Sequence, residues 1–245
     1  MTEPARVWVV LPTYNEADNL GRIVPEIRSR LPESRRILIV DDDSPDGTGG
    51  IADRLASESD EVEVLHRERK EGLGPAYLAG FRRALAAGAQ LIVEMDADFS
   101  HDPECLPRLL EASEQADLVL GSRYVAGGGV ADWGAVRRLI SRGGSVYARL
   151  MLGVRVRDLT GGFKVFDRRV LEAIDLDSIR SRGYAFQVET TYRALKQGFR
   201  VIEVPIVFSE RTEGSSKMSR AIFAEAVWRV PGMRLRRRWL RAGDG

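Results

Sequence analysis

The stretch LIVEMDADFSHDP, residues 91–103, runs from an apolar segment straight into Asp-Ala-Asp, and its reading decides the fold. A β-rich run that stops in two acids, one residue apart, puts Asp96 and Asp98 at the carboxyl end of a strand. In open α/β sheets, ligands collect outside those ends. Hard divalent cations there use one or two carboxylates and leave their other positions to water and phosphate oxygens. Asp is also a favoured turn residue, so the tripeptide alone is open to a plain surface-turn reading. A second acidic strand end weighs against that: Ile37–Val40 enters DDDSPDGT, with Asp41 and Asp42 where the run stops.

Short β-rich runs alternate with longer amphipathic stretches on both sides of this segment. Strands are expected near Val7–Leu11, Ile37–Val40, Val62–Leu65, Leu91–Met95 and Asp117–Gly121. Helices are expected near Asp18–Arg30, Gly49–Ser57, Gly74–Ala87 and Pro103–Ser113. Such alternation implies an α/β fold, a mostly parallel sheet flanked by helices. Beyond Gly121 the pattern loosens: a helix over Ala135–Leu152, a loop DLTGGF at 158–163, a helix near Ala185–Lys196 and a strand around Val201–Phe208. No internal repeat or low-complexity linker divides the chain.

With 245 residues, 44% hydrophobic and 30% charged, the chain can bury the core of one large domain plus a short extension. The single cysteine, Cys105, cannot form an internal disulfide, which suits a reducing compartment. It reads as a small buried side chain early in a helix. The opening MTEPARVWVV lacks the basic and apolar regions of a secretion signal, and no stretch approaches the roughly 18–20 apolar residues of a membrane span. A cytoplasmic protein without its own membrane anchor is expected. The formal charge of +1 hides a basic end: Lys217–Arg241 carries eight basic residues against one acid, Glu225.

The first strand leads into PTYNE, residues 12–16, rather than G-x-G-x-x-G, and no G-x-x-x-x-G-K-[ST] occurs. Dinucleotide-dependent oxidoreductases and P-loop enzymes are therefore disfavoured. What does occur is a series: PTYNE (12–16), VDDDSPDGT (40–48), GLGPAY (72–77), MDADFSHDP (95–103), GSRY (121–124), DLTGGF (158–163), GYAFQVE (183–189) and ERTEGSSKM (210–218). This series resembles the polyprenyl- or dolichyl-phosphate mannose synthases, inverting glycosyltransferases of the GT-A fold, over about residues 7–218. The resemblance implies a GT-A domain at 1–218 and a C-terminal basic extension at 219–245.

The same resemblance implies roles for individual residues. Pro12, Tyr14 and Glu16 would pack on base and ribose, and Asp42, with Val40 beside it, would take a base-edge hydrogen bond. Glu16 also suits the start of a helix, where an acid opposes the dipole. Asp96 would touch the ribose or the metal, and Asp98 would coordinate Mg²⁺ or Mn²⁺ on the diphosphate. Ser100 stands where some relatives carry a further ligand, Gln, and water can fill that place. The cation would neutralise charge on the departing nucleoside diphosphate. His101 reads as a turn residue rather than a ligand.

The implied acceptor is a polyprenyl monophosphate and the implied donor GDP-mannose. A phosphate monoester is already anionic, with a second pKa of about 6, so it can attack without a strong base. Cations matter more. Arg123, Arg137 with Ser141 one turn later, Arg211 and Lys217 match family positions that clamp acceptor phosphate and diphosphate. Arginine supplies planar bidentate recognition and lysine a point charge. Asp158 and Glu189 suit structural or sugar-hydroxyl roles.

A lipid acceptor requires contact with a bilayer. Ile222, Phe223, Ala226, Val227 and Val230 recur at helical spacing until Pro231 interrupts them, a stripe suited to core packing. The following MRLRRRWL mixes Leu235 and Trp239 with arginines, as an interfacial basic helix does. The expected location is peripheral, at the cytoplasmic face of the membrane, with room for an integral membrane partner. A nucleic-acid role is disfavoured, because the basic cluster is confined to one end and leaves the acidic motifs unexplained. The nearer rival is transfer of another sugar, such as glucose from UDP-glucose.

Overall fold

A computed structural model describes residues 6–131, 133–209 and 229–234. Strand β1 (Val7–Thr13) is buried at all its positions, as a central strand covered on both faces must be. Its side chains alternate between two cores: Trp8 and Val10 enter one, while Val7, Val9 and Leu11 enter the other. Helix α1 (Ala17–Arg30) closes the second core with Leu20, Ile23, Val24 and Ile27 at helical spacing. Then follow β2 (Arg35–Asp41), α2 (Thr48–Glu58), β3 (Val62–His66), α3 (Leu73–Ala86) and β4 (Leu91–Glu94). All four strands run parallel, in the spatial order β3-β2-β1-β4.

The sheet continues as β7-β5-β8, with β5 at Leu118–Ser122, β7 at Lys164–Asp167 and β8 at Val201–Pro205. The mostly parallel sheet flanked by helices is thus as expected, with one unanticipated element. Strand β7 is antiparallel to both β4 and β5. Its four residues, KVFD, are too few to show a period, and α6 (Arg168–Ala173) follows without a break. The stretch expected as one strand at Val201–Phe208 is two. At Ile206 the chain leaves β5 and turns to β6 (Gly129–Val130), so β9 (Val207–Phe208) joins a separate two-stranded sheet. Ile206 marks the handover, donating to the Ser122 carbonyl at 3.0 Å and accepting from the Gly129 amide at 3.0 Å.

The remaining helices are α4 (Leu106–Ala112), α5 (Ala135–Leu152) and α7 (Gly183–Lys196). Residues 229–234 are helical through Pro231, so the interruption expected there does not occur, and Val230 and Met233 pack into the first core. Ile222, Phe223, Ala226 and Val227 lie outside the described residues. Among the described residues no helix is long and apolar enough to cross a membrane.

The register of β7 on β4 sets Lys164 opposite Glu94, both fully buried, with Nζ 3.8 Å from a carboxylate oxygen. Lys164 also donates to the Gln187 carbonyl and the Thr190 hydroxyl, each at 3.1 Å, and to Gln187 Oε1, while Gln187 Nε2 donates to Glu94. Burial pushes the Glu94 carboxyl up to about 7 against the pull of Lys164, and burial lowers Lys164. Glu94 thus binds its proton more tightly folded than unfolded, and its contribution to stability falls as pH rises from about 4.5 toward 7. Lys164→Met should cost about 3–5 kcal/mol at pH 8, and less at pH 5, where Glu94 carries a proton. Urea unfolding at the two pH values checks this; an equal loss at both would contradict a charged pair.

Candidate active site

Strand β1 has β2 on one side and β4 on the other, so the connections that follow β1 and β4 run in opposite directions and open a crevice at the carboxyl ends. Three non-glycine residues turn the chain there with positive φ: Asn15 at 56° after β1, Asp43 at 60° after β2 and Phe99 at 61° after β4. Asn and Asp tolerate that region, but Phe rarely enters it. Strain of this kind persists where surroundings over-determine it, and it gathers at functional sites. At Phe99 the Arg22 guanidinium lies over the ring at 5.2 Å.

The first two turns fasten each other. The Asn15 amide donates to Ser44 Oγ at 3.1 Å, Glu16 to Thr48 Oγ1 at 2.9 Å and Ala17 to Asp46 Oδ2 at 3.1 Å. Glu16 begins α1, and its carboxylate accepts from Asn19 at 2.8 Å, in keeping with the helix-start alternative. Tyr14 is half-buried with the Lys70 ammonium 3.5 Å from its ring centre, while Pro12 and Val40 are buried beneath. Asp42 is buried, and its carboxylate accepts from the Glu71 and Gly72 amides, the latter at 2.7 Å, and from Arg67. The expected base-edge acceptor therefore anchors the loop that leads into α3.

The Asp-Ala-Asp turn is held from two sides. Tyr77, fully buried on α3, donates its hydroxyl to Asp96 Oδ1 at 2.8 Å. Burial first, and then the adjacent Asp96 charge, raise the phenol well above its usual range, so it remains a donor. The Asp96 amide donates to His101 Nδ1 at 3.0 Å, which places the neutral ring's proton on Nε2. The His101 ring stacks on Phe163 at 5.0 Å and meets Phe208 edge-on at 5.5 Å. His101 is thus the turn residue expected, with a specific structural task. Asp98, buried, accepts from the Ser100 amide at 3.0 Å, and the buried Ser100 Oγ has no hydrogen-bond partner among the described residues.

The aromatic contacts continue to the basic side. Phe208 meets Trp133 edge-on at 5.5 Å, and the Arg123 guanidinium lies 5.5 Å from Phe208, 5.9 Å from Trp133 and 5.1 Å from Tyr124. Arg123 is gripped by buried Asp158 through Nε at 2.8 Å and Nη2 at 2.7 Å, with Thr160 accepting at 2.8 Å. Burial opposes both charges, yet the pairing prevails: Arg123 is raised and Asp158 lowered. Among the described residues nothing accepts from Arg123 Nη1. Tyr124 donates to Ser141 at 2.7 Å, and Arg137 covers Trp133 at 4.3 Å. Glu189 is tied to Arg193, which also holds the Ile174 carbonyl at 2.7 Å, contacts in keeping with the structural alternative. Arg211 and Lys217 lie outside the described residues.

The structure thus brings Pro12, Tyr14, Glu16, Val40, Asp42, Asp96, Asp98 and Ser100 to one crevice, and groups Arg123, Arg137 and Ser141 beside it. Sequence reasoning missed Tyr77, Lys164 and Gln187. Tyr77 lay within the quoted GLGPAY and Gln187 within GYAFQVE, but no spacing linked either to β4.

A doubly wound sheet with an acidic turn at its switch point and a carboxylate-held arginine beside it defines a GT-A glycosyltransferase. Its likeness to solved structures agrees. Glucosyl-3-phosphoglycerate synthase from Mycobacterium tuberculosis, crystallised with Mn²⁺, UDP-glucose and phosphoglyceric acid, superposes with a TM-score of 0.66 at 21% identity, covering 92% of this chain and 80% of that one. The same enzyme with Mg²⁺ and UDP gives a TM-score of 0.67. The chain belongs to glycosyl transferase family 2, whose model matches residues 8–175. It is 52% identical over 234 residues to an undecaprenyl-phosphate mannosyltransferase of Micrococcus luteus, covering 96% of each chain. It is 49% identical to a polyprenol monophosphomannose synthase of Mycolicibacterium smegmatis, covering 97% of this chain and 90% of that one.

His101→Ala would leave the Asp96 amide without its acceptor and open space against Phe163. A loss of about 2–4 kcal/mol in urea unfolding is expected; a loss below about 1 kcal/mol would show that the turn is held by other means.

Proposed function

We propose that the chain is a polyprenyl-phosphate mannosyltransferase, moving mannose from GDP-mannose to a polyprenyl monophosphate with inversion, to yield the β-linked lipid phosphomannose and GDP. The observation that carries this reading is the pair of carboxylates at the switch point, joined by stacked aromatics to a caged arginine. Identity to the two bacterial relatives over nearly the whole chain supports the sugar and the lipid. On this reading residues 1–218 carry the chemistry and 219–245 form the extension.

The donor set fits a hard divalent cation, Mg²⁺ or Mn²⁺. Asp96 and Asp98 supply carboxylates, and the buried Ser100 hydroxyl, without a hydrogen-bond partner among the described residues, is a further oxygen that could turn to the cation. Such a cation would offset charge growing on the departing diphosphate. The protein's own residues do the positioning. Tyr77 fixes one Asp96 oxygen, Pro12, Tyr14, Glu16, Val40 and Asp42 frame the nucleoside, and Asp158 holds Arg123 with Nη1 turned to the acceptor phosphate. Arg137 and Ser141 add to that phosphate clamp, and Arg211 and Lys217 steady the diphosphate.

The acceptor places the enzyme at the cytoplasmic membrane face, touching the bilayer through its basic C-terminal segment, directly or beside an integral membrane protein. Nucleic acid has no part in this reading.

Incubation of enzyme and polyprenyl phosphate with GDP-mannose or with UDP-glucose should give lipid-linked sugar from the first alone. Product from UDP-glucose alone would replace mannose by glucose. Asp98→Ala should lower kcat on the order of a thousandfold, since several kcal/mol of charge stabilisation are lost, while circular dichroism remains that of the parent; near-normal turnover would remove the metal role. Arg211→Ala should cut transfer and weaken diphosphate binding more than binding of the nucleoside alone, and unchanged kinetics would take it out of the site.

A further inference from the structure

The direction of the Arg123 guanidinium depends on two separate pieces of backbone, the end of β5 and the loop at 157–160, and one side chain holds both. Glu203, half-buried on β8, accepts through Oε1 from the Ser122 hydroxyl at 2.7 Å and the Asp158 amide at 2.9 Å. Its Oε2 accepts from the Arg157 amide at 2.8 Å. The residue before Arg123 and the main chain of its counter-ion are thus pinned to a single carboxylate.

The strand gives this acid an unusual setting. Ile202 and Val204 turn to one core and Val201 to the other, so Glu203 shares the face of Val201 and of its buried register partner Leu120. A carboxylate on such a face costs free energy unless donors surround it. Here the donors are two main-chain amides and a hydroxyl. Its bonds therefore go to backbone that must be held in place.

The hold reaches the guanidinium through Asp158. That residue is fully buried, and its side chain takes three bonds from Arg123: the amide at 2.9 Å, Nε at 2.8 Å and Nη2 at 2.7 Å. Because the grip is bidentate, the guanidinium plane follows the carboxylate, and the carboxylate follows the Asp158 main chain. Without Glu203 two amides lose their acceptor, one of them on a buried residue, and the loop must shift to satisfy them. Such a shift moves backbone against backbone. A Cβ on Gly161 would lie 3.1 Å from the Gly121 carbonyl oxygen, and one on Gly128 would lie 2.4 Å from that of Ser122.

We infer that Glu203 is a positioning residue for the acceptor-phosphate clamp: by fixing Ser122, Arg157 and Asp158 together, it sets the direction in which Arg123 presents Nη1. What Arg123 meets there, a phosphate monoester, rests on the proposed function. The positioning itself needs no substrate.

The first measurement uses the full chain with isotope-labelled arginine, free of metal and substrate. A buried, carboxylate-bound Nε–H exchanges slowly with water, and the Arg123 signal is identified by its loss in Arg123→Lys. Glu203→Ala should speed its exchange by about tenfold or more. Glu203→Gln keeps one acceptor oxygen for Ser122 and Asp158, so its exchange should fall between the two. The second measurement is transfer from GDP-mannose to a short, water-soluble prenyl phosphate. Glu203→Ala should raise the acceptor KM by about tenfold or more and leave the donor KM within about twofold, with Glu203→Gln again intermediate. A residue that only stabilised the strand would shift unfolding and move neither the Arg123 signal nor the acceptor KM. An unaltered Arg123 signal in folded Glu203→Ala overturns the proposal, as does an unaltered signal in Glu203→Gln where the alanine variant does not fold. If the signal changes as stated while the acceptor KM holds, the positioning stands and the acceptor-phosphate role of Arg123 fails.

Discussion

The acidic turn at the carboxyl end of β4 is held by side chains from distant parts of the chain, and the site depends on that hold. Asp96 is fixed by the Tyr77 hydroxyl, which donates to its carboxylate, and by His101, which accepts from its amide. Below the turn Glu94 is itself a buried acid, matched by Lys164 across the β4–β7 register. The antiparallel strand is thus the means by which a cation reaches the base of an acidic corner. Groups fixed before the reaction need not reorganise during it, which is where electrostatic catalysis gains most.

The same corner is tied to the basic side by rings rather than charges. His101 lies against Phe163 and Phe208, Phe208 against Trp133, and Arg123 among Phe208, Trp133 and Tyr124. Apolar contacts of this kind keep an acidic and a basic cluster at fixed separation, where direct ion pairing would collapse them. Arg123 instead neutralises Asp158, and their bidentate geometry aims the guanidinium. The switch from β8 to β9 at Ile206 is what carries Phe208 into this chain of rings.

Much of this was legible in the sequence, for physical reasons. The strands β1, β2 and β4 are apolar runs that end in acids or turn formers, so both the sheet and the acidic crevice could be read from local pattern. The bounds of α5 were equally plain. What was hidden depends on distant partners. Strand β7 is four residues long, and Lys164 reads as a surface charge until its register with β4 is known. Tyr77 stands 19 residues from Asp96 and Gln187 stands 93 from Glu94, separations at which no periodicity speaks. The two apolar faces of α5 sum to a broad hydrophobic pattern, and only packing reveals which face is left outside.

The most direct test of the account is a crystal of the enzyme soaked with GDP-mannose and Mn²⁺, with the metal located by its anomalous signal. The account predicts manganese within coordination distance of Asp98, beside Asp96 and the Ser100 hydroxyl, with the diphosphate lying between that corner and Arg123. Metal and nucleotide bound away from the β1–β4 crevice would contradict it.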